Sequence, residues 1–288
     1  MNPPSRRAFA AAAATAALAC ASHLAQSVET SAAKALISPE QARQVGVQVQ
    51  SELEKQGVQF VSDPTVDGWV AKVADPLFAV ARKARPDLAD WRVRVINDPK
   101  TVNAFATTGG DLYVYSGLVL AADDGAELAG VIAHEIGHVA LYHVQRQMAD
   151  AVGLEALTGL ALGKNPGVAS QLAAGIGGNA AMLANSRGDE KEADDWGVVH
   201  VDEAGYDPNG LVRFFQKLQG QEGHTPQVLG WLSDHPTTPS RIQDIQGLIR
   251  EKNLRATGEG PGGLDAVKAA LGRIPPPPPP KGAPAGGG

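Results

Sequence analysis

The chain has 288 residues, 43% of them hydrophobic, which is enough apolar side chain for one sizeable core or two small ones and excludes a disordered polymer or a disulfide scaffold. Lys and Arg number 25 against 31 Asp and Glu, a formal net charge of -6 with no long basic run, so the electrostatic footprint of a nucleic-acid binder is missing and no nucleic-acid partner is expected. No run of about eighteen strongly apolar residues occurs, which excludes a polytopic membrane protein.

The single cysteine, Cys20, closes the first apolar stretch, Ala8 to Ala19. Ser5-Arg6-Arg7-Ala8-Phe9 precedes it as a twin-arginine arrangement, and the Ala-rich run is too short to span a bilayer. Residues 1–19 therefore read as an export signal, and the mature protein is expected in the periplasm. Cleavage before Cys20 would free a thiol for lipidation, the sole membrane attachment expected, although Ala17 stands where lipoprotein signals usually carry Leu. Ordinary cleavage near Ala19 or Ala21 is the alternative. Residues 20–37 read as a tether.

From Ser38-Pro39, a helix start with Pro in the first turn, the apolar spacing predicts a helix to about Glu54 and another from about Pro64 to Ala84. The alternation Trp91-Arg92-Val93-Arg94-Val95-Ile96 predicts a strand, and Asp111-Leu112-Tyr113-Val114-Tyr115, after the Gly109-Gly110 turn, predicts a second. The rest reads as helical. Asp123-Asp124 cap a long helix expected to run to about Asp150, and residues 151–185, broken at Lys164-Asn165-Pro166-Gly167, read as a helical pair. Further helices are predicted around Glu190 to Ala204, Pro208 to Gln219 and Thr238 to Lys252. A folded domain over residues 38–253 is thus expected, followed by a disordered tail, 254–288, which holds a short helix candidate, Leu264 to Leu271, and six prolines, Pro275 to Pro280.

Chemistry enters at His134-Glu135-Ile136-Gly137-His138, inside the long predicted helix. Four residues at about 100° each bring the second imidazole back to the face of the first, about 6 Å along the axis, so the two can grip one metal ion. Glu135, next to that face, is placed to take a proton from an attacking water without closing the coordination sphere. A catalytic zinc takes three protein ligands and keeps one position open, so a third ligand must come from another element, and Glu190 is the strongest candidate. In Glu190-Lys191-Glu192-Ala193-Asp194, Glu190 and Asp194 share a helix face, while Glu192 points about 200° away. One carboxylate can bind metal while Asp194 reaches an imidazole N–H and fixes its tautomer. Without the upstream motif, the same residues would read as an ordinary charged helix face.

These motifs resemble the HtpX- and BepA-like zinc metallopeptidases, gluzincins related to the CAAX prenyl proteases. The resemblance extends over roughly residues 38–250 through Val102-Asn103-Ala104-Phe105-Ala106, Gly109-Gly110, Ser116-Gly117-Leu118, Glu127-Leu128-Ala129, Ser186-Arg187, Ala204-Gly205-Tyr206-Asp207-Pro208 and His235-Pro236. It implies one zinc ion per chain held by His134, His138 and Glu190, with Glu135 as general base and Asp194 as the acid behind the ligands. The membrane segments of HtpX and the prenyl proteases are absent, as is a tetratricopeptide-like array of the BepA kind.

The strand Asp111 to Tyr115 has two readings. As an exposed edge beside a zinc cleft, Leu112, Tyr113 and Val114 would accept an extended polypeptide as an added strand; otherwise it is an ordinary core strand. His235 can stabilise the oxyanion of a tetrahedral intermediate, occupy the open zinc position and keep the site latent, or merely cap the next helix. Arg241 is a weaker candidate for the oxyanion role. His143, five residues past His138, is rotated about 140° from it on a continuous helix and is expected to bond elsewhere, while His200 and His224 read as structural or solvated. The sequence therefore predicts an exported zinc metalloendopeptidase of α+β class, mainly helical, with a small sheet beside the active-site helix. It would cut unfolded or misfolded envelope proteins. The opposing reading is a chaperone-like zinc protein whose cleft is plugged by residues 151–185.

Overall fold

The computed structural model describes residues 36–88, 90–178, 185–221, 231, 234, 235 and 238–277. The export signal, Cys20, nearly all of the tether, His224 and the end of the proline run lie outside the described residues. The fold is mainly helical with one three-stranded sheet, as the sequence predicts.

Helices α1 (Pro39–Lys55) and α2 (Pro64–Ala84) start where expected, the first at a capping box between Ser38 and Gln41 and the second at the Asp63 carboxylate. The sheet comprises β1 (Arg92–Ile96), β2 (Ala104–Ala106) and β3 (Asp111–Tyr115) in the order β1-β3-β2, with β3 parallel to β1 and antiparallel to β2. The reading of Leu112, Tyr113 and Val114 as an exposed edge is therefore corrected: β3 is the central strand and all three residues are buried. The outer strands are β1 and β2, and β2 is too short to stand out as an alternating run in the sequence.

The short α3 (Ser116–Ala121) leads to α4 (Gly125–Ala140), capped by Asp124 and buried over nearly its whole length. One long helix to Asp150 was expected; instead α4 ends, Tyr142 adopts a left-handed conformation (φ 64°), and α5 (His143–Val152) begins. Such a conformation costs a non-glycine residue about 1–2 kcal/mol, and here Arg85 supports it. Its guanidinium lies over the Tyr142 ring at 4.1 Å and donates to the Val139 carbonyl at 2.9 Å. Helices α6 (Leu154–Ala161) and α7 (Pro166–Gly178) form the expected pair and pack on α1.

Helix α8 (Arg187–Glu203) lies along α4 in the most extensive helix contact of the fold. Two glycines permit it: Gly137 faces the Ala193 backbone and Gly197 faces the His134 backbone. Helices α9 (Asn209–Gln221) and α10 (Pro239–Glu251) complete the wall around α4. The expected disorder from residue 254 does not hold for 254–277. There α11 (Leu264–Leu271) buries Val267, Ala270 and Leu271, Trp69 Nε1 donates to the Pro261 carbonyl at 3.0 Å, and Asn97 Nδ2 donates to the Pro275 carbonyl at 2.8 Å. Composition could not show this, because the docking partners lie far away in sequence.

Candidate active site

Helix α4 carries His134, Glu135 and His138 on buried faces, and α8 brings Glu190 and Asp194 to the same place. His235 arrives from beyond α9, its ring stacked on Trp231 at 4.4 Å, its backbone N–H bonded to the Trp231 carbonyl. His134 Nε2 lies 3.1 Å from His138 Nε2 and 3.3 Å from His235 Nδ1. Glu190 Oε1 lies 3.3 Å from His138 Nε2 and 3.0 Å from His235 Nδ1, and its Oε2 lies 3.5 Å from His134 Nε2.

These separations suit a metal. A tetrahedral shell with bonds of about 2.0–2.1 Å has edges of about 3.3–3.4 Å, and three nitrogens with one carboxylate oxygen form a donor set that zinc accepts. Facing imidazole nitrogens also share one proton between two lone pairs, so the cluster is short of donors and a cation at its centre resolves the shortage. Among the described residues, His134, His138, Glu190 and His235 form the one group with ligand atoms all within 4.8 Å of one another.

The surroundings complete the electrostatics. Asp194 Oδ1 lies 3.0 Å from His134 Nδ1, the ring nitrogen turned away from the cluster. Arg241 donates to both Asp194 oxygens, at 2.7 and 2.8 Å, and lies 2.7 Å from Glu190 Oε2. Its guanidinium thus holds the two carboxylates in place, and the oxyanion role considered for Arg241 gives way to this one. Burial works against charge on His134, but Asp194 and Glu190 outweigh it and push its pKa up to about 9. His138 goes the other way, down to about 3, chiefly through burial. Burial also works against charged Glu190 and Asp194, yet both stay below the usual carboxylate range, Glu190 through His235, His134 and His138, Asp194 through Arg241 and His134. The site calls for positive charge, which a proton on His134 or a divalent cation supplies. Glu135 differs: burial pushes its pKa up, and His235 and His134 offset only part of that.

A cleft opens beside Glu135, His138 and His235, lined by residues 103–106 at β2, by Val144, Gln147 and Met148 of α5, and by Gly175, Asn185 and Asp234. Of the segment 151–185 considered as a plug, Gly175 and Asn185 reach this lining. Leu112, Tyr113 and Val114 do not. His200 stacks on Trp196 at 3.8 Å, away from the cluster, in keeping with a structural role.

Three groups were missed or misplaced in the sequence. The break at Tyr142 swings His143 back, so that its Nδ1 lies 3.0 Å from His138 Nδ1 and its Nε2 3.1 Å from Glu192 Oε2. Asn185, 3.5 Å from His235 Nδ1, and Asn103, which donates to Asp234 at 2.7 Å, also border the cleft. Asn103 lay within a quoted motif; the other placements depend on the helix break and on long-range packing.

The family model of peptidase family M48 matches residues 64–249, which include all four cluster residues and Glu135. The chain belongs to peptidase family M48. It is 29% identical to the beta-barrel assembly-enhancing protease of Yersinia pestis over 222 residues, covering 74% of this chain and 45% of that protein. Against the beta-barrel assembly-enhancing protease of Escherichia coli K12 it is 28% identical over 196 residues, covering 65% and 39%. The metalloprotease LoiP of E. coli K12 is 35% identical over 160 residues, covering 54% of this chain and 62% of LoiP. The chain thus spans less than half the length of the assembly-enhancing proteases it matches.

Proposed function

We propose that this M48 chain is a zinc-dependent metalloendopeptidase that hydrolyses peptide bonds in unfolded or extended polypeptides, using Glu135 as its general base. The observation that carries the reading is a buried carboxyl, Glu135, bordering both a four-donor cluster and a cleft with a strand edge in its wall. His134, His138 and Glu190 would hold one zinc ion, with Asp194 and Arg241 fixing their orientation. When bound, zinc supplies Lewis acidity, polarising a carbonyl oxygen and lowering the pKa of water. Glu135 takes the proton of the attacking water and delivers it to the leaving amine; burial raises its pKa, which makes it the stronger base for the first transfer. Substrate lies along β2. The ladder turns the main chain of Asn103, Phe105 and Thr107 toward β3 and leaves that of Ala104 and Ala106 directed outward; the Ala104 N–H donates to Asn103 Oδ1 at 2.8 Å, a bond that an added strand would replace.

His235 sits within ligand distance of the cluster and 3.4 Å from Glu135, which favours the latent reading over a free oxyanion donor. In that reading its side chain would be a fourth ligand to a bound zinc ion and would have to move aside for substrate. Residues 1–19 direct export, with Cys20 a candidate lipid anchor. Among the described residues no helix is long and apolar enough to cross a membrane. With export proposed, unfolded envelope proteins are the first substrates to try, and the name of the beta-barrel assembly-enhancing proteases puts β-barrel proteins among them.

The test is cleavage of casein or another unfolded protein by the purified chain beside Glu135→Gln, with zinc content measured in both. The variant is expected to keep zinc and lose about 10²–10⁴-fold in rate. Equal activity in the two overturns the mechanism. If neither cuts while both hold zinc, His235→Ala separates latency, which it relieves, from a chaperone-like binding role.

A further inference from the structure

The two helix α4 imidazoles are supported differently. His134 meets its carboxylate directly, Asp194 at 3.0 Å, whereas the rear nitrogen of His138 meets an imidazole, and no carboxylate among the described residues is paired with it. That nitrogen, Nδ1, faces the buried ring of His143, whose far nitrogen meets Glu192 at 3.1 Å and lies 3.6 Å from Asp189. We propose that His143 is a positioning residue for the metal centre: its ring fixes the tautomer and aim of His138 and links that ligand to the Glu192 carboxylate.

The hydrogen-bond roles follow in one direction. His138 presents Nε2 to the cluster, so a ligating His138 carries its proton on Nδ1. That proton can be donated only to an acceptor, which fixes His143 Nδ1 as a lone pair and places the His143 proton on Nε2. The Nε2–H then donates to Glu192 Oε2, a carboxylate at the cleft-remote end of the chain of bonds. The outcome is a carboxylate–histidine–metal arrangement lengthened by one imidazole. Groups of this kind typically contribute 10–100-fold in metal affinity. The device depends on the backbone: on an unbroken helix His143 would point away from His138, and the left-handed Tyr142 turns it back.

The inference rests on the zinc reading for the identity of the ion, so its test reads affinity rather than turnover. The full chain and its variants compete for zinc against a chromophoric chelator, and urea unfolding of the zinc-free forms runs in parallel. His143→Asn keeps an acceptor oxygen where Nδ1 stands; His143→Leu keeps apolar bulk without an acceptor. We expect His143→Leu to lose 10–100-fold in zinc affinity and His143→Asn, which keeps the acceptor for His138 but gives up the link to Glu192, to lose only about 3–10-fold, whichever is the more stable zinc-free. A packing role reverses that order, since Leu fills the buried site better, and the reversal overturns the proposal, as do equal losses in both variants. Glu192→Met, at the more accessible end of the relay, guards against variants that do not fold. It should weaken zinc about 3–10-fold with the fold intact, and an unchanged Kd overturns the relay. A parent chain that binds no zinc overturns the site reading and this inference together; parental Kd values in all variants overturn the relay alone.

Discussion

Gly197→Ala tests the contact that sets the metal site. A Cβ at Gly197 would stand 3.0 Å from the His134 nitrogen, 3.2 Å from its Cα and 3.3 Å from the Ala133 carbonyl carbon. All three are helix backbone, which cannot turn aside as a flexible side chain would. Ordinary contact begins near 3.4 Å, so α4 and α8 must separate by about 0.4 Å. Overpacking of this kind costs about 1–3 kcal/mol, and the better helix propensity of alanine returns about 1 kcal/mol, leaving a net loss of about 0–2 kcal/mol. Gly68→Ala in α2 isolates the propensity gain, because no other part of the chain comes within 4 Å of where its Cβ would stand, and should stabilise by about 0.5–1 kcal/mol. The two variants should therefore differ by about 1–3 kcal/mol in urea unfolding of the zinc-free chain, with equal m-values. Separation of the helices also pulls Glu190 from His134, so Gly197→Ala should bind zinc more weakly than Gly68→Ala. Equal stability and equal zinc affinity in the pair would refute the claim that the helix crossing sets the site.

Ending the chain at Asn253 removes the docked segment and the burial of Val267, Ala270 and Leu271, an upper cost of about 3–6 kcal/mol; an unchanged urea midpoint would show that residues 254–277 do not hold the domain. Asp207 lies within bonding reach of Asn209 and Arg213, and these hold its pKa below 3.8 although burial opposes them. A depressed folded pKa gives stability that is present above the unfolded value and lost as pH falls through the folded one. Asp207→Asn should thus cost about 0.5–1 kcal/mol at neutral pH, after allowance for the partly exposed Arg213, and the gap should close in acid as pH falls through the depressed folded pKa. A gap that persists into that range counts against the pairing. Removal of zinc by a chelator should abolish peptide cleavage and lower stability by about 4 kcal/mol relative to chain with free zinc at a thousand times Kd, both restored by added zinc. Identical unfolding curves with and without chelator would mean that the cluster holds no ion.

What could be read in the sequence was what repeats or spaces locally. The i, i+4 geometry put His134 and His138 on one face and Glu190 and Asp194 on another, and the caps at Ser38 and Asp124 marked helix starts. The position of β3 within the sheet was not legible, because an alternating strand looks alike at the edge and in the centre, and pairing depends on partners in two other segments of the chain. Three-residue β2 shows no period at all. The tail misled for a related reason: Gly and Pro lower the local tendency to fold, yet Trp69, Asn97 and Tyr206 supply partners that composition does not count.

The case of His143 marks the limit of helical arithmetic. Rotation at about 100° per residue is valid only while the helix continues, and α4 stops two residues before His143. Once the chain turns at Tyr142, the same count that excluded His143 from the metal brings it behind the metal's neighbour. The effect on α8 is similar. Glu190 and Asp194 serve the cluster from one face, and Glu192, between them, points about 200° away; with α5 starting at His143, that second face acquires a partner. One helix turn of α8 therefore reaches one ligand position directly and the rear of both α4 histidines, His134 through Asp194 and His138 through Glu192 and His143. A substitution that merely straightened the α4–α5 break would leave every residue of the zinc motif in place and still remove the support behind His138.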